Sequence, residues 1–289
     1  MLGRALMPLA AAFLVLAGSV AATPSASTAP AQASINLEYK MPADRALTYQ
    51  VKADESQVLD VMGQTMATTS ATVSDFTFKA KGKKEKDLLL GVTVDNISMS
   101  ITGPQGDMSP DMSSVKGKSF DMVLSPLGNE VDVSGAEAIS YSLEGEARTL
   151  ASGFKNFFPD LPGKPLKIGD TWPASASVEE KTTSMTIQIG LEYVHTLDGI
   201  EMVDGVECAR VVSQVTGSLN GSGNQMGQDM TFTGTVKGKD TWFFAVKDGI
   251  YVKAVSESTS EVSIDLPAAG MAIPMTMTSK TELKLTGKS

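Results

Sequence analysis

The stretch Met185-Thr186-Ile187-Gln188-Ile189-Gly190-Leu191-Glu192-Tyr193-Val194-His195 sets the fold class. Ile187, Ile189, Leu191 and Tyr193 alternate with Thr186, Gln188, Gly190 and Glu192. A period of two puts apolar side chains on one face and polar ones on the other, as in a half-buried antiparallel strand. His195 continues the apolar phase. The pattern recurs near the C-terminus, where Met275, Met277, Leu283 and Leu285 oppose Thr276, Thr278, Lys280, Glu282 and Lys284. Richness in Thr, Ser and Val agrees with strands. Asp198-Gly199, Asp204-Gly205 and Asp248-Gly249 mark hairpin turns. Over residues 88–101 the apolar phase switches from Leu88, Leu90, Val92 and Val94 to Ile97, Met99 and Ile101. That switch predicts a bulge near Asp95 or Asn96.

One segment has another period. Ile139, Leu143, Ala147, Leu150, Phe154 and Phe157 recur at steps of three and four, which predicts a helical face over 137–158. Ser134 with Glu137 reads as a capping box. Pro159 and Pro162 end the segment, and Gly145 and Gly153 loosen it. An internal repeat flanks it. Met62-Gly63-Gln64-Thr65-Met66 leads to Asp75-Phe76-Thr77-Phe78, and Met226-Gly227-Gln228-Asp229-Met230 leads to Asp240-Thr241-Trp242-Phe243. The reading is a duplicated β unit. The expected fold is mainly β: two repeated antiparallel curved sheets, half-barrel-like, with one connecting helix. The first half is 35–135, the helix and Pro-rich connection 136–164, and the second half 165–289. Sequence alone leaves open whether both halves join in one continuous sheet.

The chain begins with an address. Arg4, the apolar run Leu6–Leu16 and the small residues Ala17–Ala22 make residues 1–22 a secretory signal peptide. The run is too short for a membrane span. Residues 23–34 hold only Thr, Pro, Ser, Ala and Gln, and read as a flexible leader. The expected location is secreted or periplasmic, with no integral membrane span after cleavage. With 24 basic against 33 acidic residues the net charge is −9, and no basic run is present. Nucleic acid is therefore not an expected partner. One His and one Cys leave no His/Cys metal cluster and no intramolecular disulfide.

Pro165-Leu166-Lys167-Ile168-Gly169-Asp170-Thr171-Trp172, Asp204-Gly205-Val206-Glu207-Cys208-Ala209 and Leu124-Ser125-Pro126-Leu127-Gly128-Asn129 resemble segments of a secreted bacterial β-protein family of unknown function. The resemblance covers roughly 35–285. It implies an exported β protein akin to the half-barrel carriers of lipids and lipoproteins. No catalytic residues come with it.

The chemistry of the chain points away from an enzyme. No G-x-S-x-G or G-x-x-x-x-G-K segment occurs, and His195 and Cys208 read as core residues. Glu179-Glu180 and Asp198 with Glu201 sit in polar contexts, as solvated charge does. No cofactor is expected. Methionine is the unusual residue, at 16 copies, and recurs as M-x-x-x-M. Met62, Met66, Met226, Met230, Met271 and Met275 are the candidate ligand-binding residues. Each pair is expected to flank a turn, which makes an adaptable apolar rim around the mouth of a curved sheet. The expected function is a non-enzymatic exported protein that binds an apolar ligand, a lipid, or a lipidated or hydrophobic partner on a concave β surface. One alternative is an envelope structural or protein-interaction module, with an envelope protein as partner. Another is Cu(I) held by Met sulfurs.

Overall fold

A computed structural model describes residues 34–42, 45–143, 146–225 and 227–289. Residues 1–33, which include the segments expected to be a signal peptide and most of a leader, lie outside the described residues, as does Met226. The strands are β1 (Ala46–Val61), β2 (Gln64–Lys84), β3 (Asp87–Gly103), β4 (Gly106–Met108), β5 (Ser119–Leu124), β6 (Glu130–Asp132), β7 (Ser140–Leu143), β8 (Glu146–Thr149), β9 (Thr171–Lys181), β10 (Met185–Val203), β11 (Val206–Gln225), β12 (Gln228–Ala245), β13 (Ile250–Leu266) and β14 (Met271–Lys288).

The two sequence halves do not form separate sheets. They join in a single 12-stranded antiparallel sheet of order β6-β5-β3-β2-β1-β14-β13-β12-β11-β10-β9, with β4 on β3. Each half is a meander, and the first and last long strands, β1 and β14, zip the two together from Leu47↔Lys288 to Leu59↔Met275. Odd residues of β1 and β14 face inward at that seam, so the two alternations agree in phase and one face is continuous.

The sheet is strongly coiled. Eight inter-strand spacings separate β3 from β9, about 38 Å if the sheet were flat. Yet Met99 of β3 and Val178 of β9 border one cavity of about 300 Å³. Only a sheet curled around its inner face brings them together.

Among the described residues of 137–158, where the sequence predicts a helix, there is no α-helix. In its place are a 3-10 turn at Ser134–Ala138, the β7–β8 hairpin and a second 3-10 turn at Ala151–Phe154. Ser134 is no N-cap: its hydroxyl bonds the Asp132 carboxylate (2.7 Å), and Val133, which has no capping side chain, holds the cap position. Of the apolar positions on the expected face, Ala147 is exposed, whereas Ile139, Leu143, Leu150, Phe154 and Phe157 are buried. Turns spaced along a compact connection place them together without a helix.

That connection fills the curl. Phe154, Phe157 and Phe158 pack edge-on or tilted against Phe76, Phe78 and Tyr49, with ring centroids 4.9–6.4 Å apart. This aromatic core reaches Phe120, Trp242 and Phe244. A second cluster lies further along the inner face, built from Leu59, Ile187, Ile189, Leu219, Phe232, Ile264 and their neighbours.

Local expectations fared unevenly. Asp95 is the extra residue of a bulge, since Asp75 pairs Asn96 and Phe76 pairs Val94. Asp204-Gly205 is a two-residue turn with both φ angles positive (48° and 80°), and Asp248-Gly249 also turns. Asp198-Gly199 is instead a bulge within β10, where the register shifts between Leu197 and Gly199. The Pro165–Trp172 segment is a tight turn feeding β9. Asp170 Oδ2 accepts the Lys167 amide (2.8 Å), Gly169 sits at φ 92°, and Trp172 Nε1 donates to the Asp160 carbonyl.

Candidate functional site

The inner cavity lies between the connection and the coiled sheet. Val51 and Ala53 of β1, Ile97 and Met99 of β3, and Ile189 and Leu191 of β10 give it apolar walls. Phe154 and Phe157 form its other side. Water occupies about 30 Å³ per molecule in the liquid, so 300 Å³ holds about ten groups of that size. That is the lower end of small-molecule pockets.

Polar groups gather at one side. Glu55, Tyr141, Arg148, Glu180 and Thr281 also line the cavity. Glu55 stands on the inner phase of β1, in line with Tyr49, Val51, Ala53, Gln57 and Leu59. Burial pushes its carboxyl up to about 8, against smaller opposing effects of the Ser70 hydroxyl and Arg148. Ser70 Oγ donates to Glu55 Oε2 at 3.3 Å. The β7–β8 hairpin brings in Tyr141 and Arg148, and Glu146 Oε2 ties that hairpin to the β9–β10 turn by accepting the Thr183 amide (2.9 Å).

A second, smaller cavity of about 70 Å³ adjoins, sharing Asn156, Phe157, Tyr193 and Tyr251 with the first. It is room for about two waters. Its polar lining includes Glu130, Asp160, His195 and Asp240. The register explains the group. His195, Ser213, Asp240, Ser256 and Thr281 are successive cross-strand partners over β10 to β14, so one polar row crosses five strands of the inner face. Burial raises Asp240 to about 7, with Ser256 alongside partly offsetting it. Burial raises Glu130 to about 8, although its Oε1 accepts the Phe158 amide (2.9 Å). Burial lowers His195 to about 4 and keeps it neutral.

This row has the residue types of a nucleophilic triad but not the geometry. Ser213 Oγ accepts Trp242 Nε1 (3.0 Å) and lies 2.7 Å from His195 Nδ1. Asp240 flanks Ser213 from the opposite strand, so the carboxylate does not orient the imidazole as an Asp does in a Ser-His-Asp relay. Among the described residues, no group of three or more His, Cys, Asp or Glu is placed to hold a metal ion. No helix among them is long and apolar enough to cross a membrane.

Of the six candidate methionines, Met226 lies outside the described residues, and the other five do not line the cavity. Met62 is 85% exposed, in a two-residue turn with Gly63. Met66 does not face it across that turn but pairs with Leu59. Met271 and Met275 lie on the same strand, β14, about 13 Å apart at strand rise, rather than across a turn. Met66, Met230, Met271 and Met275 do come together, with Met185 and Met277, in the second apolar cluster. There they fill a core poor in aromatic rings. Sequence reasoning missed Glu55, Arg148 and Thr281. The signal for Glu55 was legible: a carboxylate on the apolar phase of a strand.

No protein family matches the chain, and no curated protein matches it. Among solved structures the chain is similar to a DUF1329 family protein from Desulfovibrio piger, at 12% identity over 83% of this chain and 84% of that one, with a TM-score of 0.14. It is also similar to a "putative outer membrane lipoprotein-sorting protein domain" from Vibrio parahaemolyticus, at 8% identity over the same shares and the same TM-score. At that score neither likeness bears on what the cavity does.

Proposed function

We propose that the protein is an exported, non-enzymatic binder of a single apolar chain or the apolar part of an amphiphile, held inside the curl of the sheet. The observation that carries this reading is the cavity of about 300 Å³ walled by Val51, Ala53, Ile97, Met99, Leu191 and Phe157. An apolar guest in this space removes the apolar lining from water and gains dispersion contacts with it. Strands of the sheet line one side of the site and the connection lines the other. Met66, Met230, Met271 and Met275 belong to the second apolar cluster, further along the same inner face.

The test blocks the cavity from the sheet side. Ala53 is a small wall residue on β1, and Ala53→Phe fills the space it borders. A neutral fluorescent probe, N-phenyl-1-naphthylamine, is titrated into the wild type and the variant. The expected result is binding to the wild type and at least about tenfold weaker binding to the variant, with the thermal transition retained. Equal binding to both proteins contradicts the assignment.

A further inference from the structure

Of the polar atoms shielded at the cavity wall, two side-chain oxygens, one carboxyl and one hydroxyl, have no hydrogen-bond partner among the described residues. Glu55 Oε1 and Thr281 Oγ1 are both shielded from solvent and both unsatisfied. They are neighbours by register: Glu55 pairs with Ser279, and Thr281 lies two residues further along β14 on the same face. Diagonal positions of this kind bring side chains within reach of one group. Both residues line the cavity. Buried polar groups in native proteins are nearly always paired, and an orphan costs the desolvation of that group.

We propose that Glu55 and Thr281 form the head-group site of the bound ligand, and that they take the carbonyl oxygen of an uncharged acyl ester in preference to a free carboxylate. The assignment rests on the cavity reading above. Its chemistry follows from the charges already present. Arg148 and Glu180 supply one cation and one anion beside the cavity. Glu55 is kept protonated near neutrality by its burial, so its acid hydroxyl donates. The Thr281 hydroxyl donates as well. A neutral carbonyl accepts from both and adds no charge. A fatty carboxylate puts a second negative charge beside Glu180, with Arg148 the single cation in the lining to offset both, so it costs more desolvation than the neutral ester does.

The experiment uses three probes of one chain length, methyl octanoate, octanoate and octane, at pH 7. Each displaces N-phenyl-1-naphthylamine from the wild type, from Glu55→Leu and from Thr281→Val. The expected result is methyl octanoate binding at least about tenfold more tightly than octanoate to the wild type. Each variant is expected to weaken methyl octanoate by about tenfold and to leave octane within about twofold. If octanoate matches or exceeds methyl octanoate, or if both variants bind the ester as the wild type does, the head-group assignment falls and the cavity reading stands. If none of the three displaces the probe from the wild type, the cavity reading itself falls. The ester-over-acid comparison is made on the wild type, so it decides the matter even where a variant fails to fold.

Discussion

Glu55, Glu130 and Asp240 are carboxyls that the fold holds in apolar surroundings, raised to about 8, 8 and 7. In the unfolded chain such groups titrate near 4. Between about pH 4 and pH 8 the folded state therefore binds protons that the unfolded state has lost, and stability from these groups falls as pH rises through that window. His195, lowered to about 4, acts in the opposite sense between about pH 6.5 and pH 4, where stability falls as pH drops. Three groups against one make mildly acidic pH the more stabilising for this set. The melting temperature should fall between pH 5.5 and pH 8.5, and Glu55→Gln should make that fall smaller. An identical fall in wild type and variant contradicts the assigned burial. Ser213 gives a second prediction. Its oxygen serves Trp242 and His195 at once, so Ser213→Ala strands two buried groups and should cost roughly 1–3 kcal/mol in urea denaturation. A variant as stable as the wild type shows that the bridge contributes nothing.

The β1–β2 hairpin turns on Met62 and Gly63, at φ 55° and 80°. A methionine gains nothing from a left-handed conformation, whereas Asn tolerates it. Met62→Asn should stabilise the protein by about 1 kcal/mol or less and leave probe binding unchanged. Weakened binding returns Met62 to the ligand site. The connection makes the opposite case. Phe157 touches Tyr49, Phe76, Phe78, Phe154 and Phe158, and it borders both cavities. Phe157→Ala should destabilise by about 3–5 kcal/mol. A loss below about 1 kcal/mol contradicts its place in the aromatic core. Such contacts also explain which parts were legible. Strand alternation in β10 and β14 was read correctly because each strand has one buried face. The connection misled because its buried residues keep helical spacing while its backbone is two 3-10 turns and a hairpin. Asp198-Gly199 misled because the dipeptide serves a bulge as readily as a turn.

At the level of the entire chain, the seam between β1 and β14 is what converts two meanders into one coiled sheet. The repeat seen in the sequence falls on hairpins in both halves, but its downstream aspartates diverge. Asp75 lies outward and accepts a hydrogen bond from Gln50 Nε2, whereas Asp240 lies inward and buried. One residue of difference in spacing moves a side chain to the other face. The polar row across β10–β14 was invisible in sequence for the same reason: it exists only once register is set. So was the cavity, which is lined by both β3 and β9, eight strand spacings apart in the sheet order. Its content is the central claim, and native mass spectrometry of the protein purified gently from an export compartment, followed by organic extraction, tests it most directly. The account predicts an apolar molecule at near-stoichiometric amount in the wild type and its loss in Ala53→Phe. A clean mass without ligand for the wild type, together with no displacement of the neutral probe by any acyl compound, contradicts it.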